Sequence, residues 1–452
     1  MEEKEDMTMT TTTTTLSCNS CIRQLLFIML SFLAVSLSAR DTLTPLYKYL
    51  SGLPGVEVDA LSCSETFTEK YLLHVAQPVD HDDPGKGSFL QRVFVMHRAK
   101  EAPVVFTTEG YAANYGSFPR YRNELVHYLG ASEILVEHRY FAPSAPEPPD
   151  WQYLTVEQAA NDHHRVVELL KPYFTGRWVS TGISKGGQTA MYHRAYFPGD
   201  VDATVGYVCP LNFSIEDRRC YDFLDRVGTE ECRRRIHDFQ KLLLCNKERF
   251  FPAFKKAIAE QELSFSIGDT AGFELTVLEY SFAFWQWGTM KCDDIPEDTV
   301  SPAEAISHLG TVAGLSWVSD EGIAGLQPFF YQAMTEIGFY GYDHGEFEGC
   351  VEALDVQTFD FSCPQGTECI YDPAPMQKVD HFVRHDGENM IFIYGEWDPW
   401  SAPAVQLTGN TNSFKVVKPE GSHRTRIANL PEEQRRLVLT ALGEWLGCEI
   451  NW

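Results

Sequence analysis

Basic residues are scarce in this chain: 37 Lys and Arg stand against 63 Asp and Glu, for a formal net charge of -26. No nucleic-acid partner is expected, because phosphate backbones are held by clustered Lys and Arg. The acidic excess reads first as a device for solubility, and it leaves cationic substrates easier to attract than anionic ones. Downstream of residue 39 no stretch is apolar enough to span a bilayer, so no stable membrane span is expected once a leader is removed. Metal signatures are missing too. There is no His-Glu-x-x-His, no Cys-x-x-Cys in the same region, and His163 and His164, adjacent on one helical stretch, must face different directions. No metal and no cofactor is expected, and no internal repeat points to a solenoid.

What is present is ordinary globular composition in 452 residues, with 44% hydrophobic and 22% charged residues. That suffices for one large enzyme domain carrying an insertion, or for two domains. A polar N-terminal segment with the run TMTTTTTT leads through Arg23 into LLFIMLSFLAVSL, followed by the small residues Ser36, Ser38 and Ala39. This pattern reads as an export signal over 1–39, with Met7 or Met9 as alternative starts and a signal anchor as the alternative form. The chain is therefore expected to be secreted or periplasmic. Of 12 cysteines, Cys18 and Cys21 fall in that leader, and the remaining ten form an even set, as expected of disulfides in an exported protein. Cys363 with Cys369 is the cheapest local pairing.

Strand-like runs occur at Gln91–Val95, Ala102–Thr107, SEILVEHRYF, RWVST and DATVGYVCPLNF. Helical spacing separates them in YRNELVHYLG, in LTVEQAANDHHRVVELL and in the segment after TGISKGG. Such alternation implies an α/β chain with a mostly parallel sheet and helices on both faces. From about 214 to 388 the spacing turns helical and aromatic, as in ERFFPAFKKAIAEQELS and EYSFAFWQWGTM, which predicts an inserted helical cap. MIFIYG and SFKVVKP then resume the sheet, and PEEQRRLVLTALGEWLG closes the chain as an amphipathic helix. The expected divisions are a leader over 1–39, the first part of the core over 40–213, the cap over 214–388 and the second part of the core over 389–452.

Gly182-Ile183-Ser184-Lys185-Gly186 matches the G-x-S-x-G nucleophile elbow, between a strand pattern and a helix pattern. Small neighbours let a strained strand-to-helix turn present the Ser184 hydroxyl, and they place the Lys185 N–H at the helix start as an oxyanion donor. A serine needs a base and an orienting acid, which the α/β-hydrolase fold supplies in the order Ser, acid, His. Asp398, just past MIFIYG, and His423, in GSHRTRI, fit that order. Asp380, Asp386, His381 and His385 are rivals placed before the resumed strand, and they read as solvated loop residues. The early run VVFTTEGYAANYG offers the backbone N–H of Gly110 or Tyr111 as the second oxyanion donor. In the same run Glu109 reads either as a carboxylate for a substrate ammonium or as an ion-pair partner of Arg139. Phe284, Trp285 and Trp287 read either as walls of a specificity pocket or as cap core.

Several strings resemble one family in order. The stretch from DWQYLTVEQA through TGISKGGQTAMYHRAYF to GYVCP, together with EHRYFAPS, EYSFAFWQWG, YGEWDPWSAP and GSHRTRI, is similar to serine-peptidase family thirty-seven, the secreted tripeptidyl aminopeptidases. EHRYFAPS and the LTVEQA run also resemble family twenty-eight, the prolyl carboxypeptidase and dipeptidyl peptidase family. The likeness implies an exported α/β-hydrolase peptidase with a helical cap, releasing short peptides from free N-termini, often beside proline. It places Ser184, Asp398 and His423 on the catalytic positions. Gln188 departs from the Met expected there. Peptides are the implied substrates. The alternative is an esterase or lipase on the same fold, since acyl transfer to serine is common to both, and a catalytically dead relative is the third possibility.

Overall fold

The computed structural model describes residues 44–354 and 358–452. The expected export signal, its cleavage point and Cys18 and Cys21 lie outside these residues. Two compact units divide the chain, 1–53 and 54–452. Within the first, the described residues hold one short helix, α1 (Pro45–Leu50), begun by the Thr44 hydroxyl accepting from the Tyr47 N–H and by Pro45 at its first position.

The second unit is built on nine strands: β1 (Val56–Leu61), β2 (Glu69–Pro78), β3 (Ser88–His97), β4 (Val104–Thr108), β5 (Ser132–Val136), β6 (Trp178–Ile183), β7 (Ala203–Tyr207), β8 (Met390–Gly395) and β9 (Phe414–Lys418). They form one open sheet in the order β1-β2-β3-β5-β4-β6-β7-β8-β9. The β1-β2, β2-β3 and β3-β5 pairs are antiparallel, and every later pair is parallel. β4, β5, β7 and β8 are buried along their whole length, as strands of a parallel sheet covered on both sides must be. Side chains alternate between two apolar layers. Met390, Phe392 and Tyr394 of β8 join one cluster, and Ile391 and Ile393 the other. The α/β-hydrolase fold expected from the sequence is the one found. β1 and β2 were not expected, although β2 does carry a period-two burial pattern.

Between β4 and β6 run α2 (Glu124–Leu129) and α3 (Val156–Leu170), and after β6 comes α4 (Lys185–Tyr196). α3 starts on the Thr155 side chain, which accepts from the Gln158 N–H, and ends at Lys171, before the Pro172 that cannot continue it. Between β7 and β8 the described residues contain helices and no strand: α5 (Arg219–Leu224), α6 (Glu230–Cys245), α7 (Lys247–Glu260), α8 (Asp269–Trp287), α9 (Pro302–Val312), α10 (Asp320–Gly325), α11 (Gln327–Gln332) and α12 (Ala374–His385). α8 is buried nearly all round and sits among these helices as a core element. α13 (Glu432–Leu446) closes the chain and packs Val438, Leu439, Leu442 and Leu446 beneath the sheet.

Three disulfides staple the helical region: Cys232–Cys292, Cys245–Cys350 and Cys363–Cys369. The local Cys363–Cys369 pairing was expected, but the pairing of all ten cysteines is not found. Cys63, Cys209, Cys220 and Cys448 are free thiols. The reason is packing. Cys209 and Cys220 are enclosed in the larger apolar cluster, where they act as small hydrophobes, and burial pushes the Cys209 thiol up to about 12.

Candidate active site

The strand order reverses at β4: β5 lies on one side of it and β6 on the other, and in such sheets the crevice opens past the carboxyl ends of the strands at this point. The residues just beyond β4 and β6 are Glu109-Gly110 and Ser184. Ser184 caps α4 with φ 55° and ψ −123°, a strained left-handed conformation for a residue bearing a Cβ. The strain is held from both sides, because the Ser184 N–H donates to the Tyr207 carbonyl at 2.8 Å and the Gln188 N–H donates to the Ser184 carbonyl at 2.9 Å. Gly182 is required here, since a Cβ would lie 2.1 Å from the Gly186 carbonyl oxygen. Gly110 is required as well, its Cβ position lying 2.6 Å from the Lys185 side chain. The Thr108 hydroxyl donates to the Gly186 carbonyl at 2.9 Å and binds β4 to the elbow.

Asp398 follows β8 and is fully buried. Its Oδ1 accepts from the Trp400 N–H at 3.2 Å and its Oδ2 from His423 Nδ1 at 2.7 Å. A carboxylate can only accept, so Nδ1 carries the proton and Nε2 is the basic nitrogen. The His423 N–H donates to the Gln286 carbonyl at 2.8 Å, and the Trp287 ring stands edge-on to the imidazole at 5.9 Å, so the end of α8 fixes the histidine loop. Ser184 and His423 line one cavity of about 720 Å³ with Glu109, Tyr111, Glu279 and Trp287.

Of the oxyanion donors expected, the Lys185 N–H opens a helix and has no intrahelical carbonyl to bind. The Gly110 N–H instead donates to Glu109 Oε2 at 3.2 Å, whereas the Tyr111 N–H has no acceptor among the described residues. Lys185 Nζ, buried, donates to the Gly110 carbonyl at 2.7 Å, and burial holds its ammonium well below the usual lysine range. Glu109 Oε1 accepts from the Tyr115 hydroxyl, and burial raises the Glu109 carboxyl to about 7. Glu109 does not pair with Arg139. That guanidinium is spent on Asp162, at 2.7 and 2.8 Å.

The three aromatics at the end of α8 are placed differently. Trp287 lines the cavity, whereas Phe284 and Trp285 turn into the core, Trp285 standing edge-on to Trp397 at 5.5 Å. Phe284 and Trp285 are therefore buried residues that do not line the cavity holding Ser184 and His423. The rivals are also located: Asp380, His381 and His385 lie on α12 rather than in a loop, Asp386 is its C-cap, and Asp380 pairs with Arg384 at 3.3 Å. His163 is buried, and His164 faces Asp200 at 2.9 Å, so the two do diverge. Cavity residues that the sequence did not single out include Glu279, Tyr340, Phe329, Phe339 and Trp400.

The family model described as PS-10 peptidase S37 matches residues 48–450. The chain belongs to the S37 serine peptidases. It is 32% identical over 378 residues to the prolyl tri/tetrapeptidyl aminopeptidase of Streptomyces mobaraensis, covering 82% of this chain and 79% of that one. Among solved structures, the proline iminopeptidase of Mycobacterium smegmatis is 12% identical with a TM-score of 0.39, covering 82% of this chain and 98% of that one. Epoxide hydrolase A of Mycobacterium thermoresistibile is 13% identical with a TM-score of 0.35, covering 80% and 96%. Among the described residues of this S37 peptidase, no helix is long and apolar enough to cross a membrane.

Proposed function

We propose that this serine peptidase is an exported exopeptidase that releases short peptides, tripeptides foremost, from free N-termini through an acyl-enzyme. The observation that carries the chemistry is the His423–Asp398 pair at 2.7 Å lining the same cavity as the strained Ser184. Ser184 Oγ attacks the scissile carbonyl carbon while His423 Nε2 takes the hydroxyl proton, and Asp398 holds the imidazole in the required tautomer and stabilises the imidazolium. The oxyanion accepts from the Lys185 and Tyr111 N–H groups. The C–N bond then breaks, Nε2 gives its proton to the leaving amine, and the N-terminal fragment stays esterified to Ser184. Water, deprotonated by the same nitrogen, hydrolyses that ester and frees the short peptide.

The naming of the Streptomyces relative as a tri/tetrapeptidyl aminopeptidase supports the peptide length and the proline preference. The three disulfides and the leader pattern support export. The helices over 214–388, read as a cap, close the side of the cleft that holds the N-terminal fragment, so that only a few residues fit before the cut. A terminal ammonium enclosed there needs a carboxylate. Glu109, the sequence candidate, and Glu279 both stand on the wall. The test is mass spectrometry of products from matched peptides with free and acetylated N-termini. Short N-terminal fragments from the free peptides alone support the reading, and equal cleavage of both sets defeats it in favour of an endopeptidase or esterase.

A further inference from the structure

Glu279 lies in the middle of α8, within the run VLEYSFAFWQW, where a carboxylate is out of place unless something binds it. It is 4% exposed, and the Tyr340 and Tyr342 hydroxyls both donate to it, at 2.9 and 2.6 Å. Both reach the same oxygen, Oε2. Oε1 accepts no hydrogen bond among the described residues, and Glu279 joins no ion pair there. Oε1 is not sealed into the core either, because Glu279 lines the cavity that contains Ser184 and His423. Gln286, seven residues on and so on the same helical face, lines that cavity too and holds the histidine loop through its carbonyl. A buried carboxylate with one oxygen braced by two phenols and the other open to a cavity is a receptor for a hydrogen-bonding cation.

Glu109 is differently placed. Both its oxygens are occupied, by the Tyr115 hydroxyl and the Gly110 N–H, and the neighbouring Lys185 Nζ is bound to the Gly110 carbonyl of the same loop. Its contacts serve the oxyanion loop. The cavity wall also carries Trp317, Phe329 and Phe339, which give a peptide chain apolar contacts.

We infer that Glu279 is the anchor for the primary ammonium at the substrate's free N-terminus, with Tyr340 and Tyr342 holding its carboxylate in place. The inference rests on the exopeptidase reading, for which it names the group that recognises the chain end. A lysine side chain offers the same ammonium chemistry, so substrates must separate the two sources.

The experiment compares kcat/KM for a tetrapeptide with free and acetylated N-terminus, and for the acetylated peptide with lysine in place of norleucine at each position before the cut. Wild type favours the free amine, and Glu279→Gln lowers the free-to-acetylated ratio by about tenfold or more, the scale of a lost charge-assisted bond. Glu109→Gln lowers that ratio less. Should Glu279→Gln fail to fold, Glu279→Asp keeps the charge but draws it back by one methylene, and the ratio again falls. A high wild-type ratio left unaltered by Gln or Asp at 279, or a larger loss in Glu109→Gln, overturns the anchor while leaving the exopeptidase standing. Rescue of the acetylated peptide by an internal lysine assigns Glu279 to side-chain recognition and overturns it too. A wild-type ratio near one removes the exopeptidase reading itself and the anchor with it.

Discussion

Lys185 Nζ donates to the carbonyl oxygen of Gly110 at 2.7 Å, so the residue beside Ser184 grips the loop that follows β4. A trans peptide points its C=O and N–H in opposite directions, and the grip on the Gly110 carbonyl therefore aims the Tyr111 N–H away from Lys185 Nζ. Lys185 Nζ lies over the Tyr111 and Phe141 rings at 5.7 and 5.6 Å, its apolar stem buried with it.

Lys185→Met keeps the stem and loses the donor. It is expected to lower kcat by roughly tenfold to a hundredfold with little change in KM, less than the loss of an oxyanion donor itself. Steady-state kinetics on one peptide check it, and a pure KM effect would place Lys185 in ground-state binding instead.

The Glu279 carboxyl is raised to about 7 by burial, with the Tyr342 and Tyr340 hydroxyls pulling it down less. Tyr340 and Tyr342 are themselves pushed far above the usual tyrosine range and stay neutral. As pH falls through that value the carboxylate is neutralised and can no longer pair with an ammonium. The ratio of kcat/KM for free-amine to acetylated peptide should then fall between about pH 8 and about pH 5.5, since kcat/KM reports the free enzyme. Taking a ratio cancels any pH effect on the chemical step, which both substrates share. In Glu279→Gln the ratio should be flat over the same range.

Arg139 is fully buried and holds Asp162 through two hydrogen bonds, while the His81 ring approaches the same carboxylate at 2.8 Å. The arginine keeps the Asp162 carboxyl below its usual range despite burial. Asp162→Ala strands that cation and should destabilise the protein by about 3–5 kcal/mol. Chemical denaturation of the variant measures it, and a loss within that of an ordinary surface change would show that water reaches the site.

Cys63, Cys209, Cys220 and Cys448 should alkylate in the denatured, unreduced protein, while Cys232, Cys245, Cys292, Cys350, Cys363 and Cys369 should not. Peptide mapping distinguishes the two sets. Each native bridge removed typically costs about 2–5 kcal/mol, so reductant should lower the melting temperature.

The tight turn at Ser184 was legible because its requirement is local: Gly182 and Gly186 must be small wherever Ser184 turns from strand to helix. That Asp398 and His423 would meet was legible through chain order and the strands before them. The cavity wall was not. Glu279 meets Tyr340 and Tyr342 across 61 and 63 residues of helical sequence, and no periodicity reports which face of α8 turns to Ser184. The string EYSFAFWQWG begins with that glutamate, yet its aromatics drew the reading, and two of the three proved to be core. The cysteine count misled in a similar way. An even number says nothing of where the thiols sit, and Cys209 packs with its Sγ 3.6 Å from the Tyr394 hydroxyl.

The most direct test of the account is to label the folded protein with a fluorophosphonate and map the adduct by mass spectrometry. The account predicts a single adduct on Ser184, slowed on the order of a thousandfold or more in His423→Ala and absent in Ser184→Ala, with both variants folded. An adduct on another serine, or undiminished labelling and turnover in Ser184→Ala, would contradict it.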